Sequence, residues 1–442
     1  MTLELINNNN TKKLSFLIFS LVFVVFLFSS DGHRYTIDEF LGQDMALHMT
    51  TLEPDPSYVQ GESKNFFNAP IFNVQNNGPF CKNAITCYPV SIFYSITEVP
   101  FIAINHYFHI ITDDTLILSI DEFAHPHYNF WRNSENVDIV FMELTYGPLL
   151  SALSVVIFFL ICIEQKFSRN ISITLTFLFG FSTLIWAYSN TSLNLLPTCL
   201  FLLLGYLFFK KFQRLNQNKF LLFSSASLGF GFLIRHDLIL FIIPIFFLLL
   251  LSILNKNKKI NSIFFYSIPL LFSYFTTKII HFLQYEPLSK NDSIPTNDPA
   301  QINAITELIY NFPITRFFII PVPELLAGVF GILFAPGVGL FIFCPIFLTI
   351  FFTFPDFFRK RKSDCILFLS FILLVFYVHA TNQTSWHGLV GWGPRYLFLL
   401  LPFLLIPLGA SIEKRNRRLM IPIILVLGGL GIFFNIAYVI QD

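Results

Sequence analysis

Charge is what this chain has least of. Only 12% of its 442 residues are Asp, Glu, Lys or Arg, about half the share of an ordinary soluble domain. The Lys and Arg that remain stand in short runs between apolar segments. That placement suits topogenic signals rather than a nucleic-acid footprint, so no nucleic-acid partner is expected. Cysteine is sparse too, with six in all. Cys162, Cys199, Cys344 and Cys365 lie in or beside apolar runs, where a small soft side chain simply packs. Cys81 and Cys87 share one polar loop and could pair if that loop is external, but nothing else suggests a disulfide scaffold. No P-loop and no nucleophile elbow occurs. Gly229-Phe230-Gly231 and Gly428-Gly429-Leu430-Gly431 sit in apolar stretches with no strand before them, so they read as packing features and not dinucleotide loops. His125-Pro126-His127 lacks the spacing and partners of a metal site, and no metal ligands are assigned.

Apolar residues are abundant: 54% of the chain is hydrophobic and 18% aromatic, with 58 Phe, and the mean hydropathy is +0.64. A bilayer core of roughly 30 Å needs about 20 apolar residues per helix. Such stretches recur at Leu14–Phe28, Tyr88–Ile111, Ile139–Ile163, Ile171–Tyr188, Leu193–Phe209, Phe220–Ile234, Leu238–Leu254, Ile260–Phe282, Leu325–Phe352, Cys365–His379, Tyr396–Leu408 and Leu419–Ile440. The expected fold is an all-α, polytopic transmembrane bundle of about 11–13 spans. Residues 1–442 are expected to form a single domain with no separate soluble unit, with polar outer loops at 31–87 and 284–324. The first apolar run follows Lys12-Lys13 and could be a cleaved signal peptide, but the many later spans favour a retained helix.

Basic clusters set the orientation. Lys210, Lys211, Arg214 and Lys219 should be cytoplasmic, as should Lys256, Lys258 and Lys259, then Arg359–Lys362, then Lys414, Arg415, Arg417 and Arg418. Successive clusters are two spans apart. Ser189–Asn194, Arg235–Asp237, Gln284–Arg316 and Asn382–Arg395 therefore share the opposite, extracytoplasmic face of a cell membrane. The first third fits this count only if Tyr88–Ile111, with Pro89 and Pro100, does not cross. A re-entrant or juxtamembrane pair of short helices is expected there.

Polar residues able to do chemistry gather on that face. Asp38-Glu39 lies just past the first span, with Arg34 four residues before Asp38. A carboxylate desolvated at the membrane boundary could deprotonate a hydroxyl. Acids are equally at home in the first turn of a helix, here Phe40–Met49. Arg235-His236-Asp237 breaks two apolar segments, and its Arg could bind phosphate. Trp386-His387-Gly388-Leu389-Val390-Gly391-Trp392-Gly393-Pro394-Arg395-Tyr396 is rich in Trp and Gly. Its aromatics could be mere interface anchors, yet its glycines let backbone approach a ligand and Arg395 is well placed to pair with a lipid phosphate. Phe334–Leu340, with Pro336-Gly337, reads as a kinked helix.

Taken together, the first helix, the acid pair beyond it and the segments TLIWAYS (183–189), APGVGLFIFCP (335–345) and WGPRY (392–396) resemble the GT-C superfamily of membrane glycosyltransferases. The nearest group holds protein O-mannosyltransferases and lipid A aminoarabinose transferases. The resemblance implies a GT-C-like bundle whose first outer loop carries juxtamembrane helices. It also implies a mannosyltransferase-like hexosyl or pentosyl transferase that moves a sugar from a dolichyl- or undecaprenyl-phosphate donor to a lipid, glycan or protein acceptor, with inversion. Asp38 would be the catalytic base, with Glu39 beside it. Arg395, Arg235, His387, Arg34 and Trp392 would hold the lipid phosphate and donor. No cofactor is called for, though a divalent metal could help neutralise the phosphate. The chain departs from the pattern at Ser189-Asn190-Thr191-Ser192, where relatives often carry Arg or an acid. The alternatives are a transporter or lipid flippase and a non-catalytic relative. A transporter needs ionisable groups at mid-depth, whereas the charges here lie at span ends.

Overall fold

The computed structural model describes residues 8–32, 36–51, 91–112, 136–255, 260–284, 322–380, 392–414 and 417–441. Both loop intervals named above, the Cys81/Cys87 pair and the His125-Pro126-His127 string lie wholly or largely outside them.

Among the described residues the twelve apolar stretches are largely helical, within sixteen α-helices in all. In chain order these are α1 (Asn8–Phe28), α2 (Ile37–Thr51), α3 (Ile92–Phe108), α4 (Val137–Glu164), α5 (Arg169–Phe181), α6 (Ile185–Tyr188), α7 (Leu195–Leu215), α8 (Asn218–Ile234), α9 (Ile239–Leu254), α10 (Ser262–Gln284), α11 (Val322–Phe334), α12 (Leu340–Phe343), α13 (Ile350–Lys360), α14 (Lys362–Ala380), α15 (Leu401–Lys414) and α16 (Arg417–Gln441). Short 3₁₀ turns lead into α9, α13 and α15. Among the described residues, eight helical segments are long and apolar enough to cross a bilayer, and two shorter apolar helices accompany them. This is a multi-pass membrane protein. The run around Pro336-Gly337 is broken as expected: α11 stops at Phe334 and the chain resumes in α12.

Charge sorts to the two ends of the bundle. At one end Lys210 pairs with Asp364 at 2.9 Å, Arg214 with Glu164 at 2.9 Å, Lys414 with Asp356 at 2.6 Å and Lys360 with Glu413 at 3.1 Å. This basic pole gathers the lysines and arginines that the sequence groups on one face. From Glu164 at that pole, α4 runs back to Glu143 at the other, 21 residues and about 32 Å at 1.5 Å per residue. Between those two acids α4 carries no charge. The stretches of α7, α14 and α15 between their end charges carry none either. The core between the poles is aromatic; Phe368, Phe371, Phe403, Phe241 and Tyr206 interlock with ring centroids 4.9–6.3 Å apart.

One expectation needs correction. Residues 92–108 form one continuous helix and not a pair, with Pro100 accommodated in its interior. It does not cross the bundle. Ser91 donates to the Leu233 carbonyl at 2.6 Å, Thr97 meets the Tyr146 hydroxyl at 2.6 Å, and Asn105 reaches Asp138 at 2.7 Å. Helix α3 therefore stays beside the first turns of α4, at the end away from the basic pole, and makes a layer with α2 around Ala46, Ile102, Met142 and Tyr146. Among the described residues before α4, α1 is thus the one helix that crosses, which agrees with the parity of the later basic clusters.

Candidate active site at the pole opposite the basic cluster

Helix α2 begins with a capping box. Thr36 accepts from the Glu39 amide at 3.4 Å, and Glu39 accepts from the Thr36 amide at 2.6 Å, so two orphan N–H groups of the first turn are satisfied reciprocally. The same carboxylate takes a second bond, from the Ser192 amide at 2.9 Å, and is fully buried. Consecutive residues on a helix point about 100° apart, so Asp38 must face elsewhere. It faces Arg395: the guanidinium donates to Asp38 Oδ2 at 2.7 Å. The Arg395 side chain is 11% exposed and that of Asp38 is 38% exposed. The base candidate is therefore open to solvent and ion-paired, not desolvated as the sequence reading expects. The acid pair divides in role, with Glu39 inside the fold and Asp38 at its surface.

Ser189-Asn190-Thr191-Ser192, which lacks the charge of its counterparts, is a buried neutral knot. Ser192 donates its hydroxyl to Glu143 at 3.2 Å, and its own oxygen accepts from Gln43 at 2.8 Å. Gln43 also donates to Glu143. The Ser192 carbonyl accepts from the Tyr94 hydroxyl at 2.7 Å. Burial first, then the nearby Glu98 carboxylate, pushes the Tyr94 phenol well above its ordinary value, so it stays a neutral donor. Gly147 of α4 makes the knot feasible: any Cβ there would drive into the Ser189 and Thr191 carbonyls. The helices α2, α3 and α4 are thereby tied to one loop.

Arg235 also lies at this pole, but its donors are engaged. Asp237 chelates Nε at 3.2 Å and the second NH group at 2.6 Å, and Asn194 takes the first NH group at 2.7 Å. It serves as an internal brace, with little left for a phosphate. Trp392 stands against Phe343 and Tyr438, with centroids 4.8 and 4.6 Å away. Gly393 beside it has φ +67°, a left-handed backbone that suits glycine. This turn lets Trp392 and Arg395 serve the same pole. Arg34 and His387 lie outside the described residues. Among the described residues no group of three or more His, Cys, Asp or Glu is placed to hold a metal.

Sequence reasoning passed over Tyr188. It is 2% exposed, its hydroxyl has no hydrogen-bond partner, and its ring packs on Phe398 at 5.1 Å. The Trp392 indole nitrogen is likewise buried without a partner, as are both amide atoms of Asn190. The only sequence signal for Tyr188 was its place in TLIWAYS.

Residues 144–281 match the family model described as dolichyl-phosphate-mannose-protein mannosyltransferase. That region covers most of α4 through α10 and stops short of both Asp38 and Arg395. Among solved structures, ArnT from Cupriavidus metallidurans bound to undecaprenyl phosphate superposes with a TM-score of 0.54 at 10% identity, over 93% of this chain and 62% of that one. The chain has a GT-C fold. The apo form of the same ArnT gives a TM-score of 0.53 at 10% identity, over 94% of this chain and again 62% of the other. The chain thus spans less than two thirds of the length of the structures it matches. No curated protein sequence matches it.

Proposed function

We propose that the protein transfers a sugar from a polyprenyl-phosphate donor to an acceptor hydroxyl at the extracytoplasmic membrane surface. The observation that carries this reading is the Asp38–Arg395 pair, 357 residues apart in sequence and 2.7 Å apart in space, at the pole away from the basic clusters. The family match over α4–α10 and the fold likeness to an ArnT bound to undecaprenyl phosphate support the substrate class.

The pairing has a chemical consequence. In the resting site the two charges cancel. As the acceptor oxygen attacks the anomeric carbon from the face opposite the phosphate, Asp38 takes its proton. The anomeric C–O bond breaks, and its electron pair goes to the phosphate oxygen. Protonation of Asp38 leaves Arg395 without its counter-charge at the moment negative charge appears on the leaving group. The guanidinium thus stabilises the transition state more than the ground state, which is what accelerates the step. Displacement from the opposite face inverts the anomeric centre. Glu39 does not touch the reactants; it holds the first turn of α2 so that Asp38 faces Arg395.

The transporter reading is weaker because the charges within the described spans stand at their ends and not at mid-depth. A radiolabelled prenyl-phosphate sugar in proteoliposomes tests the proposal: product formation lost in Asp38→Asn and Arg395→Gln supports it. Full activity in either variant overturns it.

A further inference from the structure

At the pole with Asp38 and Arg395 is a small, partly open cavity of about 10 Å³, bordered by Thr36, Tyr188, Thr191, Trp392 and Tyr438. A space of this size takes one water-sized group, far less than a sugar ring. Its lining is uncharged, yet Tyr188 and Trp392 each bring a buried donor with no partner. Buried donors of this kind are rare in folded proteins and costly, about 1–3 kcal/mol each, unless something completes them. Tyr188 sits close to Arg395. It packs on Phe398, three residues further along the same 3₁₀ turn, and i and i+3 eclipse in a 3₁₀ helix. Arg395 is also the foremost charged group acting on its hydroxyl. Trp392, three residues before Arg395, lines the same cavity.

From this we infer that the Tyr188 hydroxyl and the Trp392 indole N–H form a one-atom oxyanion pocket beside Arg395 that receives an oxygen of the leaving prenyl phosphate. The inference rests on the transferase reading above and deepens it. Among the described residues Asp38 holds Arg395 in the ground state and Asp237 with Asn194 holds Arg235, so until Asp38 is protonated neutral donors are what these residues offer the phosphate. Neutral donors also suit a group that must leave: they stabilise the charge as it develops without holding the product as a salt bridge would. Tyr188 belongs to the segment preceding the knot that lacks the charged residues of its counterparts, and its donor supplies part of what that charge would.

The test uses the full-length protein in nanodiscs and two variants that delete one donor each, Tyr188→Phe and Trp392→Phe. Tyr188→Phe keeps the ring against Phe398 and removes an uncompleted buried hydroxyl, so its melting temperature should equal or exceed the parent's. Loss of one oxyanion donor typically lowers kcat by about 10²–10³, and that fall is expected for Tyr188→Phe with KM for the acceptor unchanged. Calorimetric affinity for the prenyl phosphate product, with no sugar present, should drop about tenfold in each variant, or roughly 1.4 kcal/mol. Millimolar inorganic phosphate should not displace the prenyl phosphate; equal competition would overturn assignment to a lipid phosphate. If kcat and product affinity in Tyr188→Phe both stay within twofold of the parent, the pocket is refuted while the transferase reading stands. If the parent transfers no sugar but Tyr188→Phe still binds prenyl phosphate more weakly, the transferase reading falls and the pocket remains.

Discussion

Replacing Asp38 with Asn removes the proposed base while keeping its size, and the structure says what else should change. Loss of a general base typically costs about 10²–10⁴ in rate, or about 3–5 kcal/mol of barrier at 1.36 kcal/mol per decade. Stability should hardly move. The Asp38 side chain is 38% exposed, and the amide oxygen of Asn can still accept from the Arg395 guanidinium. Carrier binding should move in the opposite direction to rate. Without its counter-ion, Arg395 meets a prenyl phosphate unopposed, so Asp38→Asn should bind the carrier as tightly as the parent or more so. Arg395→Gln should lose binding and turnover together. The assay pairs single-turnover transfer in proteoliposomes with calorimetric titration of prenyl phosphate. An Asp38→Asn protein that turns over within fivefold of the parent, or that loses carrier affinity along with rate, would refute the charge hand-over.

Glu39→Ala should melt at a markedly lower temperature than Asp38→Ala, because it strands the Thr36 and Ser192 amides, each orphan costing about 1–3 kcal/mol; differential scanning fluorimetry in detergent reads the contrast. Gly147→Ala should push the Ser189–Ser192 knot away from α4, destabilising the fold by about 1–3 kcal/mol and depressing kcat, and an unaltered melting curve would contradict the packing. Orientation is checked in a cysteine-free background: Tyr107→Cys on exposed α3 should react with an impermeant maleimide on intact cells, and Gln217→Cys at the basic pole should not.

Much of this architecture was legible beforehand because a bilayer imposes coarse rules. Apolar stretches of span length became helices, and the Lys210, Arg359–Lys362 and Lys414 clusters met at one pole because their separation in the chain matches two crossings. Asp38 and Arg395 were named separately from their positions at span ends, and they meet. What stayed hidden depends on side-chain direction. Asp38 and Glu39 are adjacent letters, but the helical turn between them sends one outward and buries the other under a loop 153 residues away. Arg235 looked available because Asp237 follows it at a spacing that could equally be a solvated hairpin. In space Asp237 and Asn194 fill its donor fork. Tyr188 reads as one more aromatic in a greasy segment, and only the absence of a hydrogen-bond partner at its hydroxyl sets it apart. Residues 92–108 are apolar enough to pass for a span; that they lie alongside α4 is decided by Ser91, Thr97 and Asn105 finding partners there.

Helix α4 has 28 residues, about 42 Å at 1.5 Å per residue, while the hydrocarbon layer is about 30 Å thick. The helix exceeds that layer by about 12 Å, and the knot and α3 are rigged to its first turns through Glu143, Gly147 and Asp138. A lipid carrier floats at a height fixed by its own headgroup, so the altitude of the reacting atoms above the bilayer is set by where the rigging is tied. Adding or deleting one residue of α4 below Gly147 would move that deck by 1.5 Å and swing it by 100°, which makes the length of this one helix as exacting a specification as any side chain in the site.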